Sequence, residues 1–228
     1  MKLTIIIPVY NERKTIGKII ARVRELPLDK EIIIVDDKSR DGTREIIKKY
    51  GTAKDMRVFY HKKNLGKGSA VRTGLRRARG DIVVVQDADL EYDPQDLCKL
   101  IQPIKQGKAR AVYGSRRLNP ENVQHSGFLF YLGGNFLTYL ARWLYGIKIT
   151  DESTCYKMIE TKLLRSLNLQ CKRFEFCPEV TAKLAKRKIS ILELPISYRP
   201  RGKKEGKKIN WRDGLGCAWT LLKYRFKD

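Results

Sequence analysis

Four short apolar runs, with helix-forming segments between them, constrain this chain more than any other feature. Residues 3–9, 31–35, 56–61 and 81–86 each read as a strand, all but the third rich in Ile and Val. After the first, Asn11 is placed to cap a helix whose Ile16, Ile19, Ile20 and Val23 keep helical spacing. Asp41 opens a second helix closed by Gly51, and a basic helix over residues 66–79 stops at Gly80. Such regular alternation predicts an α/β fold with a mostly parallel central sheet flanked by helices and right-handed crossovers. A helix from Pro94, a strand over 109–114, helices near 127–145 and 178–186, and a strand over 189–196 are expected to follow. The 228 residues suit one such domain with an appendage.

The strands end in acid. Asp36-Asp37 closes the second run, and Asp87-Ala88-Asp89 closes the run Ile82-Val83-Val84-Val85. Open α/β sheets bind ligands outside the carboxyl ends of their strands. Two carboxylates spaced D-x-D there suit a hard divalent cation, Mg²⁺ or Mn²⁺, which shares its coordination with substrate phosphates. A turn after a strand favours Asp on its own account, so the pair alone is compatible with a plain turn.

Charge narrows the partners. A formal net charge of +23 points to an anionic one: nucleic acid, a phospholipid surface or a phosphorylated substrate. Five scattered cysteines without a C-x-x-C pair, and only two histidines, argue against a zinc site and for reduced thiols in the cytosol. The start MKLTIIIPVYNE is interrupted by Pro8, Asn11 and Glu12 and reads as a strand rather than a signal peptide. The longest apolar stretch, residues 128–147, contains Asn135 and Arg142, so it is expected to be a buried or interfacial helix and the chain soluble or peripheral.

Composition shifts at Pro200. Residues 199–212 hold seven basic residues against one acidic, and beyond them Trp211, Leu215, Trp219, Leu222 and Phe226 fall on one helical face. An amphipathic tail of this kind packs back on its domain or docks on a bilayer or partner. Gly66-Lys67-Gly68-Ser69 lacks the order of a phosphate loop, and no G-x-G-x-x-G follows the first strand, which excludes the common nucleotide fingerprints.

Pro8-Val9-Tyr10-Asn11-Glu12, the run from Val35 to Thr43 with Asp36-Asp37 at its head, Asn64-Leu65-Gly66-Lys67-Gly68 and Gln86-Asp87-Ala88-Asp89-Leu90-Glu91 stand in one order and spacing. With Gly114-Ser115-Arg116, the segment from Asp151 to Lys157, and Glu193-Leu194-Pro195-Ile196-Ser197-Tyr198, the chain resembles the inverting family 2 glycosyltransferases of GT-A fold. Within them it resembles the dolichol-phosphate mannose synthases and related polyprenyl-phosphate glycosyltransferases. The resemblance implies a metal-dependent transfer of a hexose from a GDP- or UDP-sugar to a polyprenyl phosphate, at the cytoplasmic membrane face.

It also implies roles. Pro8, Tyr10, Glu12, Val35, Asp37 and Ala88 would line the nucleotide-sugar pocket, with Lys67 near the donor. Asp87 would meet the sugar or ribose, Asp89 would hold the metal and Glu91 would complete its shell. Arg201 and Lys207 would belong to a carboxy-terminal loop that closes over the donor phosphates. Arg116 and Arg117 would meet the acceptor phosphate. If the acceptor is instead a hydroxyl of a glycan or glycolipid, Glu179 resembles the base of hydroxyl-directed relatives, with Asp151 second; either is equally a structural ion-pair partner. The relatives carry basic residues where this chain has the uncharged stretch from Ser126 to Asn135.

On this reading residues 1–198 form the GT-A domain and 199–228 a basic loop and amphipathic tail, with an anionic membrane surface as partner and room for a membrane-protein partner. Two other classes compete. A nucleic-acid-binding module explains the charge, but no recognition motif is present and the acidic strand ends repel DNA. A non-catalytic membrane scaffold needs neither Asp87 nor Asp89.

Overall fold

The computed structural model describes residues 1–51, 53–122, 127–201, 208 and 210–227. Seven strands form one sheet: β1 (Leu3–Val9), β2 (Lys30–Asp36), β3 (Met56–Tyr60), β4 (Ile82–Val85), β5 (Ala111–Ser115), β6 (Lys157–Glu160) and β7 (Ile191–Pro195), in the order β3-β2-β1-β4-β6-β5-β7. β1, β2, β3 and β4 pair in parallel, and so do β5 and β7. β6 runs antiparallel between β4 and β5. β1 and β4 have every residue buried, as expected of strands covered by helices on both faces.

Helices α1 (Ile16–Glu25), α2 (Thr43–Lys48) and α3 (Lys67–Arg77) supply the crossovers of the first half. The predicted apolar stripe of α1, Ile16 to Val23, is fully buried. Its cap is Thr15, however, and not Asn11, which has a positive φ of 50° and accepts a hydrogen bond from Arg40 N instead. Asp41 does serve α2 from just outside it, accepting from Thr43 N at 3.0 Å and from Thr43 Oγ1 at 2.5 Å.

The second half adds α4 (Asp96–Leu100), α5 (Gln102–Lys105), α6 (Phe128–Tyr145), α7 (Thr161–Ser166), α8 (Phe176–Lys186) and α9 (Trp211–Phe226). β6 and α7 were not expected from the sequence. One apolar cluster fills each face of the sheet, and a third joins α6, α8 and α9 through Leu137, Ala141, Ala182, Cys217 and Leu221. Asn210 and Asp213 close a capping box at the start of α9.

α9 therefore packs on the body, but with its apolar stripe turned outward. Trp211, Trp219 and Phe226 are 70%, 66% and 83% exposed, while Asp213, Cys217, Thr220, Leu221 and Tyr224 face inward. Its neighbour α6 likewise exposes Leu132, Phe136, Tyr139 and Trp143 at spacings of one helical face. Among the described residues no helix is long and apolar enough to cross a membrane.

Candidate active site

The parallel strands β1 and β4 deliver Glu12 and the Asp87/Asp89 pair to one edge of the sheet. Ala88 packs in the core, while Asp87 meets Lys67 and Asp89 meets Arg201. Of the residues expected at the nucleotide-sugar pocket, Val35 and Ala88 pack in the core and Pro8 is buried within β1 opposite Val35.

Lys67 is aimed by its glycines. Gly66 has φ +90° and a side chain there would strike Lys172 O, while Gly68 N and Ser69 N donate to Arg173 O and Lys172 O at 2.8 and 3.0 Å. Only glycine tolerates this close backbone approach. Between them Lys67 Nζ reaches Asp87 Oδ1 at 2.6 Å and Cys155 Sγ at 2.9 Å, and Cys155 Sγ donates to Asp87 Oδ2 at 2.6 Å. Burial opposes both charges, but each outweighs it for the other: Asp87 stays below the usual carboxylate range and Lys67 well above the usual lysine range.

Asp37, expected at the base or ribose, makes its contacts to the loop before α3. It is buried, with Oδ1 accepting from Leu65 N at 2.8 Å and lying 2.7 Å from His61 Nδ1, while Oδ2 accepts from Gly66 N at 2.7 Å. Its carboxylate is consumed in shaping the loop that presents Lys67. Neither His61 nor Cys155 was singled out in the sequence. Their signal is spatial only, since each meets its carboxylate across 24 and 68 residues.

Asp89 sits in a surplus of negative charge. Burial, then Asp87 and Glu91, push its carboxyl up to about 7. The tail answers with cations. Arg201 donates to Glu12 Oε2 at 3.1 Å and to Asp89 Oδ2 at 3.2 Å, and Lys208 Nζ donates to Glu12 Oε1 at 2.7 Å and to the carbonyl of Tyr10. Glu91 anchors this strap: Oε2 accepts from Tyr198 Oη at 2.8 Å and Oε1 from Arg201 N at 2.9 Å. Lys207 lies outside the described residues.

These carboxylates fit a divalent cation by their chemistry, and the Arg201 guanidinium already stands in for a positive charge against Asp89. Among the described residues no group of three or more His, Cys, Asp or Glu is preassembled as a ligand cage. That suits an ion held by one or two carboxylates and completed by diphosphate oxygens and water.

Three residues with expected roles hold contacts within the protein. Glu179 is 1% exposed and takes hydrogen bonds from Gln170 N, Cys171 N, Lys183 Nζ and Tyr224 Oη at 2.6–2.8 Å, the contacts of a structural strut. Asp151 is held bidentate by Arg116, both bonds at 2.7 Å. The same pair commits Arg116, whose guanidinium also lies over Tyr198, so it is not presented to an acceptor phosphate. Arg117 instead lies along α6, over the Tyr131 ring at 4.2 Å and near Gly134.

A mostly parallel sheet whose acidic strand ends lie under a cationic strap defines an α/β transferase of GT-A type. Solved structures share the fold. The glucosyl-3-phosphoglycerate synthase of Mycobacterium tuberculosis, crystallised with Mn²⁺, UDP-glucose and phosphoglyceric acid, superposes with a TM-score of 0.72 at 21% identity, over 98% of this chain and 79% of that one. The chain belongs to glycosyl transferase family 2, whose family model matches residues 4–167, and is a glycosyltransferase. It is 32% identical over 210 residues to the UDP-N-acetylglucosamine–dolichyl-phosphate N-acetylglucosaminyltransferase of Methanococcus voltae, covering 84% of this chain and 83% of that protein. It is also 38% identical over 130 residues to the dolichol-phosphate mannosyltransferase of Pyrococcus furiosus, covering 56% of this chain and 37% of that one.

Proposed function

We propose that this glycosyltransferase moves a hexose-type sugar from a nucleotide-diphosphate sugar to a polyprenyl phosphate, at an anionic membrane surface that it touches without spanning. The observation that carries the acceptor is the set of exposed apolar residues on the neighbouring helices α6 and α9. Exposed Phe136, Tyr139, Trp143, Trp211 and Trp219 suit the headgroup region, where aromatic rings are favoured, and Arg142, Arg212, Lys223 and Arg225 on the same helices suit anionic lipid. The likeness to proteins named for dolichyl-phosphate transfer supports the same acceptor. All five cysteines are free thiols, in keeping with a reducing, cytoplasmic side of that membrane.

In this reading the acceptor phosphate oxygen attacks the anomeric carbon as the bond from that carbon to the diphosphate breaks. The bonding pair leaves on the nucleoside diphosphate. Glu12 and Tyr10 border the nucleotide, and Asp87, fixed by Lys67 and Cys155, contacts the sugar or ribose. Asp89, with Glu91 beside it, would hold Mg²⁺ or Mn²⁺, which supplies Lewis-acid neutralisation of the diphosphate. Arg201 and Lys208 turn from the carboxylates to the departing phosphates and stabilise the developing charge. Arg117, beside α6, is placed to meet the acceptor phosphate. A phosphate acceptor is anionic at neutral pH and needs no protein base, consistent with the structural employment of Glu179 and Asp151.

Thermal-shift titration with UDP- and GDP-sugars, with and without Mn²⁺, tests the donor side. A ligand at 100 times its Kd stabilises by about 2.7 kcal/mol. One nucleotide class is expected to raise Tm strongly only with the metal. No shift with either class contradicts the reading.

A further inference from the structure

Two thiols that the proposed transfer does not use sit against its donor site. Cys155, on the loop before β6, is buried, with Sγ 2.6 Å from Asp87 Oδ2 and 2.9 Å from Lys67 Nζ. Cys177 is half-buried in the first turn of α8. Its Sγ donates to Thr154 O, the carbonyl next to Cys155, at 3.3 Å, so Cys177 lies against the peptide that carries Cys155.

Their surroundings differ in a way that gives each a part. Cys177 stands at the N-terminus of an eleven-residue helix, with Lys157 and Lys67 as cationic neighbours and Glu152 as the opposing anion. Partial exposure and positive potential are the setting in which a cysteine reacts as thiolate. Cys155, enclosed and donating to a carboxylate, stays a thiol and lies within reach as the resolving partner. We propose that Cys155 and Cys177 form a peroxide-sensitive dithiol whose oxidation to a disulfide switches the donor site off.

The chemistry balances with hydrogen peroxide as the oxidant. The Cys177 thiolate attacks one peroxide oxygen, the O–O bond breaks, and the leaving hydroxide takes a proton to become water, giving Cys177 sulfenic acid. The Cys155 sulfur then attacks the sulfenic sulfur; its proton and the displaced hydroxide leave as a second water, and the S–S bond forms. Two thiols are oxidised and one peroxide is reduced to two waters. Oxidation removes the hydrogen bond from Cys155 to Asp87 Oδ2 and ties the loop before β6 to α8, so the Asp87–Lys67 pair loses its third support. A dithiol reductant reverses the change.

Only the switching consequence rests on the proposed donor site; the bond itself is read by mass. Full-length protein is treated with graded hydrogen peroxide, and non-reduced digests are mapped alongside donor turnover. The expected result is a cross-linked peptide pair joining residues 155 and 177, two hydrogens lighter than the thiols. Turnover should fall at least tenfold in parallel and return with dithiothreitol. Cys177→Ser should turn over normally before treatment, form no such cross-link and keep its activity through it. Absence of the 155–177 cross-link, with oxidation elsewhere or none, overturns the dithiol whatever the transfer activity. A complete cross-link with unchanged turnover overturns the switch.

Discussion

Arg201 Nη2 lies 3.2 Å from Asp89 Oδ2, a contact that joins residues 112 positions apart and sets Arg201 against the carboxylates beyond β1 and β4. The guanidinium is shared with Glu12 and Glu91, and these carboxylates keep it charged against the cost of burial. A tail cation thus occupies the place where charge compensation is needed when no donor is bound.

Arg201→Ala should separate these two duties. Without the competing cation, Mn²⁺ alone should bind about 2–5-fold more tightly, as expected for losing a weak, partly exposed ion pair. Turnover should drop on the order of 10²-fold, because the leaving diphosphate loses a preorganised donor. Electron paramagnetic resonance of free Mn²⁺ and steady-state kinetics read the two effects. Weaker Mn²⁺ binding would show that Arg201 supports the metal site and does not compete with it.

Asp89→Asn should abolish most metal-dependent turnover, since an amide is a poor ligand for a hard cation. Its effect on stability has a definite sign. The folded carboxyl titrates near 7, above its ordinary value of 3.8, so the stability it contributes is complete below about pH 4 and is lost as pH rises through 7. The variant should therefore melt about 5 °C higher than the parent at pH 8, and the two should converge near pH 4. Scanning calorimetry without metal at both pH values checks this.

Glu179→Gln should behave in the opposite way. Its carboxyl is held below the usual range by Lys183, Gln170 N and Tyr224 against burial, so its contribution is present above about pH 4.5 and lost as pH falls through the depressed value. The variant should lose about 1–3 kcal/mol at pH 7 while keeping most of its kcat. A loss of 10²-fold or more in kcat from a folded variant would restore the base role and favour a hydroxyl acceptor.

Replacing Trp143 and Trp219 by Ser removes exposed rings from α6 and α9 and should leave Tm unchanged within a degree or two. Flotation with anionic vesicles should show at least tenfold weaker binding, and parent binding should weaken with salt, since each Lys or Arg near the surface is worth about 1 kcal/mol. Unchanged flotation of the double variant would remove α6 and α9 as the docking face.

The first half of the fold was legible because β1, β2 and β4 are apolar runs with acids just beyond them, and α1 has a clean stripe. β6 was not, since Lys157-Met158-Ile159-Glu160 is four residues long with a charged residue at each end. Lys157 is nevertheless fully buried, its ammonium over the Tyr113 ring and bonded to the carbonyl of Glu152. The strand-end acids were visible as a set, but not their division of labour. Asp37 and Asp87 look alike in sequence, yet one is spent on Leu65 and Gly66 and the other meets Lys67 and Cys155. Periodicity placed Trp211, Leu215 and Trp219 on one face of α9. It carries no information on whether that face meets protein or solvent, which the packing of Cys217 and Leu221 decided.

The acceptor is the centre of the account, and one measurement addresses it directly. Purified protein is incubated with radiolabelled nucleotide sugar, Mn²⁺, polyprenyl phosphate in vesicles and a water-soluble glycan, and the products are partitioned between organic and aqueous phases. Label should enter the organic phase as a mild-acid-labile polyprenyl-phosphate sugar, in proportion to the lipid supplied. Label confined to the water-soluble glycan, with none on the lipid, would contradict it.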